Sequence, residues 1–177
     1  MNRLLTAHQV NRALARLYDA IAKSLPPDGR VAVVGIRTRG ETLAARIVQR
    51  LRDDFPNRHF DHGVLDITFY RDDLAMRRGM PLVRATEIDF DLESTFVILI
   101  DDVLHTGRSV RAALDALHDF GRPTVVRLGV LIDRGGRELP IAADFIGRRL
   151  AAPDNKRVQV KLKENDGEEG VFIITRH

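Results

Sequence analysis

An α/β fold built on a mostly parallel sheet is what this sequence predicts, and three runs of residues predict it. Arg30–Ile36 (RVAVVGI), Phe96–Ile100 (FVILI) and Val125–Ile132 (VVRLGVLI) are short, β-branched and apolar, as strands buried on both faces must be. Segments with helical apolar spacing stand between them. Strands alternating with helices are joined by right-handed crossovers, and such sheets bind ligands outside the carboxyl ends of their strands.

In chain order, Val10, Leu14, Leu17 and Ile21 fall at helical spacing, which predicts a helix over about 8–24, closed by Pro26-Pro27-Asp28-Gly29. After the first buried strand, Leu43, Ile47, Val48 and Leu51 share one side of a second helix. Val64–Tyr70 is the next strand candidate, and RDDLAMRRGMPLVRAT, at about 71–86, is polar, aperiodic and reads as a long surface loop. Beyond Phe96–Ile100, a helix over Ser109–Phe120 turns Val110, Ala113, Leu114 and Leu117 inward and stops at Gly121 and Pro123. Val158–Leu162 and Val171–Thr175 are shorter strand candidates.

The 177 residues suit one domain with one substantial core. With no cysteine there is no disulfide framework, thiol nucleophile or cysteine zinc site. Neither a signal-peptide pattern nor a membrane-length apolar run is present, so a cytoplasmic protein is expected. The net charge is +3, and only four of the 28 cationic residues are lysines. Arginine suits bidentate recognition of phosphate and carboxylate, although biased codon usage gives the same composition.

The informative stretch is Val97–Ser109, VILIDDVLHTGRS. Its strand is expected to end at Ile100, leaving Asp101 and Asp102 at the carboxyl edge of the sheet. Thr106-Gly107-Arg108-Ser109 then precedes a helix, whose leading N–H groups make a ready phosphate site. Asp-Asp after a strand is often a solvated turn, and Thr-Gly before a helix is often only a cap. Joined behind one strand, they match a sugar phosphate: carboxylates for vicinal hydroxyls, a loop for the phosphate.

VILIDDVLHTGRS resembles the phosphoribosyl-pyrophosphate motif of the type I phosphoribosyltransferases, and the closer resemblance is to the PyrR family, pyrimidine operon regulators that are also uracil phosphoribosyltransferases. VVGIRTRG at 33–40, VLDITFYRDDL at 64–74, GRPTVVRLGVLIDRGGRELPIAADFIG at 121–147 and RAL at 12–14 carry it over nearly the whole chain. The resemblance implies the type I fold with a small hood, at about 133–160. It implies that uracil and phosphoribosyl pyrophosphate give UMP and pyrophosphate with Mg2+, and that the chain regulates pyrimidine biosynthesis genes. Alternatives are a transferase for another base, or a pyrimidine nucleotide sensor that acts through RNA or a protein partner.

By resemblance, Asp101 and Asp102 hold the ribose hydroxyls and are the candidate carboxylates for magnesium, which is otherwise held through pyrophosphate and ribose. Val103, Leu104 and His105 continue the substrate-binding stretch, with His105 where the family commonly carries tyrosine. Thr106, Gly107, Arg108 and Ser109 line the 5′-phosphate site. Thr38 and Arg39 match the pyrophosphate loop, where Arg37 also supplies charge. Arg71, in a loop that closes over the sugar, neutralises the departing pyrophosphate, while Asp72 and Asp73 have no assigned role and no general base is evident. Arg134, and with it Val158, matches a nucleotide-contacting position.

The family implies a homo-oligomer, and the lack of a membrane-length apolar run leads to the expectation of no membrane association. RNA is a different matter. The RNA-binding regulators carry a small hydroxyl residue and a histidine where this chain has Ala15 and Asp19. They also have Gly-His in place of Gly135-Gly136, and Pro-Thr-Ser where this chain reads Ala151-Ala152-Pro153-Asp154. A carboxylate repels RNA phosphate and alanine removes a donor, so binding to pyrimidine-operon RNA is expected to be weak or absent.

Overall fold

In the computed structural model, which describes residues 1–72 and 85–175, the first strand β1 (Asn2–Leu5) runs directly into helix α1 (Ala7–Lys23). Thr6 starts that helix with a capping box: its amide donates to Gln9 Oε1 at 2.9 Å and its hydroxyl accepts from the Gln9 amide at 3.4 Å. Val10, Ala13, Leu17, Tyr18 and Ile21 form the buried stripe.

The main sheet contains β2 (Val31–Ile36), β3 (Phe60–Leu65), β4 (Phe96–Leu104), β5 (Val125–Asp133) and β6 (Phe145–Arg149), all parallel, in the order β3-β2-β4-β5-β6. Helix α2 (Arg39–Asp54) follows β2, and α3 (Arg108–His118) follows β4. Alternation of side chains divides the core. Val31, Val33, Ile98 and Ile100 pack with α1 and α2, whereas Ala32, Val34, Val97 and Leu99 pack with α3. The α/β architecture with a mostly parallel sheet is therefore the one expected.

Three boundaries differ from expectation. β3 covers Phe60–Leu65 rather than Val64–Tyr70, because all six of its residues pair with β2 and the chain then turns at Asp66. There the Asp66 carboxylate accepts the Thr68 amide at 2.8 Å, and Thr68–Tyr70 becomes a single 3-10 turn. α3 stops at His118, since the Asp119 and Phe120 amides turn back to the Ala116 and Leu117 carbonyls. Leu114 is 42% exposed, off the stripe that buries Val110, Ala113 and Leu117. The third difference is in β4, which continues past Ile100 to Leu104.

Two strands escaped the sequence reading. Both β1 and β6 are short and carry arginines that hide the apolar signal. β1 joins β7 (Lys156–Lys161) and β8 (Gly170–Thr175) in a separate antiparallel sheet, ordered β1-β8-β7, with the short helix α4 (Lys163–Asp166) between the last two. Within the stretch 133–160, β6 extends the parallel sheet and β7 belongs to this small sheet. Of the loop expected at about 71–86, residues 73–84, and with them Asp73, lie outside the described residues. Among the described residues no helix is long and apolar enough to cross a membrane.

Candidate active site

A cleft of about 760 Å³ opens where the carboxyl ends of β2, β3 and β4 meet the small sheet. Its floor follows from the register. β2 pairs with β4 only as far as Gly35 opposite Ile100, while β4 continues against β5 through Asp101–Val130, Val103–Ile132 and Leu104–Asp133. The acidic pair thus sits inside a strand that has lost its neighbour on one side. Gly40, in the first turn of α2, closes in on that gap: a Cβ there would lie 2.6 Å from the Ile100 carbonyl oxygen, so only glycine permits the approach.

Consecutive strand residues face opposite ways, and the two carboxylates have different surroundings. Asp101 is 7% exposed and its carboxylate accepts the Asp102 amide at 2.8 Å. Burial, followed by the charge of Asp102, pushes the Asp101 carboxyl well above the usual aspartate range, against the opposing pull of that amide and of Arg71. Asp102 is half-buried and accepts the Val103 amide at 3.0 Å. The site therefore holds a buried carboxyl group biased toward keeping its proton beside a second, half-buried aspartate.

Thr106–Ser109 turns from β4 into α3. Gly107 adopts φ +93°, a left-handed conformation, and the Thr106 carbonyl accepts the Glu138 and Leu139 amides at 2.9 and 3.1 Å. The first turn of α3 then presents its N-terminal amides, the positive end of the helix, to the cleft. Arg108 donates from Nε to Glu138 at 2.7 Å and from Nη1 to Asp72 at 2.6 Å, which ties this turn to the segment after β3.

Thr38 and Arg39 line the cleft at the head of α2, with the Arg37–Thr38 peptide cis. Arg37 donates to the Ala85 carbonyl at 3.1 Å, Glu41 at 3.0 Å and Glu87 at 2.9 Å, so it braces this turn against the chain that returns to β3. Arg39 makes a two-point ion pair with Asp166 of α4, at 3.1 and 2.5 Å.

Most residues expected at the site converge here: Thr38, Arg39, Arg71, Asp101, Asp102, Val103, His105, Thr106, Arg108, Ser109, Arg134 and Val158 all line the cleft. Leu104 and Gly107 do not. Leu104 is a core residue beside α3, and the absent side chain of Gly107 would point toward Leu139 and Ile141, 3.5 and 3.3 Å away, rather than into the cleft. Arg134 is 7% exposed and donates to the Lys156, Ala152 and Pro153 carbonyls at 2.8, 3.3 and 3.2 Å, which fixes the approach to β7.

Asp66, Thr68, Glu138 and Gln159 also line the cleft and were not singled out from the sequence. Asp66-x-Thr68 at the end of a strand is an Asx-turn signature that could have placed the first two. Gln159, in a hydrophilic strand that pairs with β8 in the small sheet, had no comparable signal. Among the described residues no group of three or more His, Asp or Glu side chains is arranged to hold a metal; the carboxylates that line the cleft are those of Asp66, Asp72, Asp101, Asp102 and Glu138.

Residues 1–165 match the family model described as "Phosphoribosyl transferase domain". The Bifunctional protein PyrR of Roseiflexus sp. is 49% identical over 172 residues, 97% of this chain and 93% of its own. That of Thermus aquaticus is 49% identical over 170 residues, 96% and 93% of the two chains. A crystal structure of a hypoxanthine-guanine phosphoribosyltransferase from Bacillus anthracis superimposes with a TM-score of 0.71 at 15% identity, covering 100% of this chain and 99% of that one. For a hypoxanthine phosphoribosyltransferase of Trypanosoma cruzi the TM-score is 0.67 at 17% identity, with coverage of 100% and 98%. At those identities the two structures speak to the fold alone.

Proposed function

Since this chain belongs to the phosphoribosyltransferase domain family and, within it, to the PyrR proteins, we propose that it joins uracil to phosphoribosyl pyrophosphate to give UMP and pyrophosphate. A bond forms between uracil N1 and ribose C1′, the bond from C1′ to the pyrophosphate oxygen breaks, and the N1 proton is released. The observation that carries this reading is the convergence, in one cleft, of an acidic strand pair, a helix-capping phosphate turn and an arginine-bearing turn. Those three features match the ribose, the 5′-phosphate and the pyrophosphate of one substrate.

In this reading Asp102 accepts hydrogen bonds from the ribose hydroxyls, and Asp101, kept toward its protonated form, donates as well as accepts. The amides of Gly107, Arg108 and Ser109, with the Thr106 and Ser109 hydroxyls, hold the 5′-phosphate. Thr38 and Arg39 hold pyrophosphate, and Arg71 offsets charge as it departs. Asp101 and Asp102 would help hold magnesium, which when bound would supply charge neutralisation for the departing pyrophosphate. The small sheet, through Val158, forms the hood over the base, and excluding water there protects an oxocarbenium-like ribosyl group from hydrolysis. The reading is tested with a panel of radiolabelled bases, phosphoribosyl pyrophosphate and magnesium. Uracil is expected to be the preferred acceptor, and a purine preference would overturn the assignment of the base.

A regulatory role through pyrimidine-operon RNA is part of what membership in this family brings, and here the sequence departures predict weak binding. Asp19 is an exposed carboxylate on α1, 4.0 Å from Arg50, and the same helix presents Arg12 and Arg16. Such charges sustain salt-sensitive, non-specific binding in the range of roughly 10⁻⁴ to 10⁻⁶ M. A UMP-dependent gel shift with structured pyrimidine-leader RNA near physiological salt is expected to stay in that range. Nanomolar, sequence-selective binding would show that Ala15, Asp19 and Gly136 are tolerated. A homo-oligomer belongs to the same proposal and is read by light scattering.

A further inference from the structure

Helix α2 carries Arg39, Thr42 and Arg46 along one stripe, and each meets the segment that leads from β7 to β8 in the small sheet. Arg39 pairs with Asp166, Thr42 Oγ1 donates to Asn165 at 2.8 Å, and Arg46 binds Glu164 at 2.9 and 2.6 Å and Glu169 at 2.8 Å. Of these three rungs, only Arg39 lines the cleft. We propose that Asp166 is a positioning residue for pyrophosphate, holding the Arg39 guanidinium by its Nε and Nη2 edge so that the far edge meets the anion already oriented.

Asp166 is built for that task rather than for a loose surface contact. Its side chain is 15% exposed, and Oδ2 accepts the Leu162 amide at 2.9 Å as well as the Arg39 Nε hydrogen. Burial by itself would push this carboxyl up; the Arg39 and Leu162 hydrogen bonds outweigh it and hold the group below the usual aspartate range. The carboxylate therefore remains ionised and in place when an anion arrives. A negative group near an anion site also repels, and the balance follows from geometry. Asp166 takes the edge of the guanidinium turned away from the anion, and solvent in the open cleft screens the longer carboxylate-to-anion distance. Fixing one long, rotamer-rich side chain beforehand is the larger effect.

The proposal rests on the reading of Arg39 as a pyrophosphate contact, and the experiment separates the two. Inorganic pyrophosphate is titrated calorimetrically into wild type, Asp166→Asn, Arg46→Gln and Arg39→Gln, alongside steady-state KM for phosphoribosyl pyrophosphate and a thermal melt of each. Asp166→Asn is expected to weaken pyrophosphate roughly three- to tenfold and raise KM by a similar factor, with kcat little changed. Arg46→Gln breaks the strap between α2 and the small sheet elsewhere, so it lowers Tm and leaves pyrophosphate affinity as it was. Unchanged or tighter binding in Asp166→Asn overturns the proposal, as does equal loss in Asp166→Asn and Arg46→Gln, which would make the strap merely structural. If Arg39→Gln binds pyrophosphate like wild type, the pyrophosphate reading itself falls.

Discussion

Asp102→Asn is expected to fold like wild type and to lose about 10²- to 10³-fold in kcat/KM for UMP formation, the range seen when a preorganised group facing developing charge is removed. The fold survives because the internal bond that Asp102 makes, its carboxylate accepting the Val103 amide at 3.0 Å, can also be made by an asparagine carbonyl. What asparagine lacks is the charge. In the proposed reading the ribose hydroxyls lose a charged acceptor, whose hydrogen bonds are roughly twice as strong as neutral ones. Turnover within a few-fold of wild type would remove Asp102 from the ribose site.

The matching change one residue earlier should raise stability at neutral pH. Aspartate titrates near 3.9 when unfolded, and in the folded chain Asp101 titrates higher. Between those two values the folded state still holds a proton that the unfolded state has released, so this group's contribution to stability is present at low pH and is lost as pH rises through the folded value. Asp101→Asn carries no such penalty, and its carbonyl can still accept the Asp102 amide, now 2.8 Å from the carboxylate. The variant should therefore melt above wild type at neutral pH, with the difference vanishing below about pH 4, while transferase activity falls. A lower Tm at pH 7 would contradict the buried, proton-retaining state of Asp101.

How legible this site was in the sequence follows from how far apart its parts lie. Val97–Ser109 contains a strand, an acidic pair and a helix start in thirteen consecutive positions, and local pattern suffices to read it. Arg39 was also reachable, being at a strand-to-helix turn. The partners that hold these groups were not: Asp166 lies 127 residues beyond Arg39, and Glu138 lies 30 beyond Arg108. Folding of the small sheet onto α2 creates the first pair, and the loop between β5 and β6 brings Glu138 back to the head of α3 for the second. The end of β4 was misplaced for a related reason. Two aspartates look like the end of a strand, yet pairing with β5 on one side carries the backbone on to Leu104. Likewise FDHGVL reads as too polar for a strand, and its position beside β2 decides the matter.

Gly107→Val is expected to damage both the fold and phosphate binding, and for a reason that lies behind the loop rather than in front of it. The residue sits at φ +93°, where a β-branched side chain is a genuine outlier costing on the order of 1–3 kcal/mol. Its Cβ would also be 3.3 Å from that of Ile141 and 3.5 Å from that of Leu139, before either methyl of valine is placed. Overpacking of that kind adds about 1–3 kcal/mol. The two contributions together lower Tm by on the order of 10 °C in a chain of this size. Relief can come only by pulling the turn away from Leu139 and Ile141, which breaks the bonds from the Glu138 and Leu139 amides to Thr106 and shifts the N-terminal amides of α3. Affinity for phosphoribosyl pyrophosphate should then fall more than tenfold even at a temperature where the variant is folded, the loss of roughly one to two charge-assisted hydrogen bonds. Gly107→Ala, with the same Cβ contacts but no branch, should lie between the two. A valine variant that melts within a degree or two of wild type would show that the turn accommodates the side chain. Normal substrate affinity in a destabilised variant would separate the glycine's packing role from the phosphate site altogether.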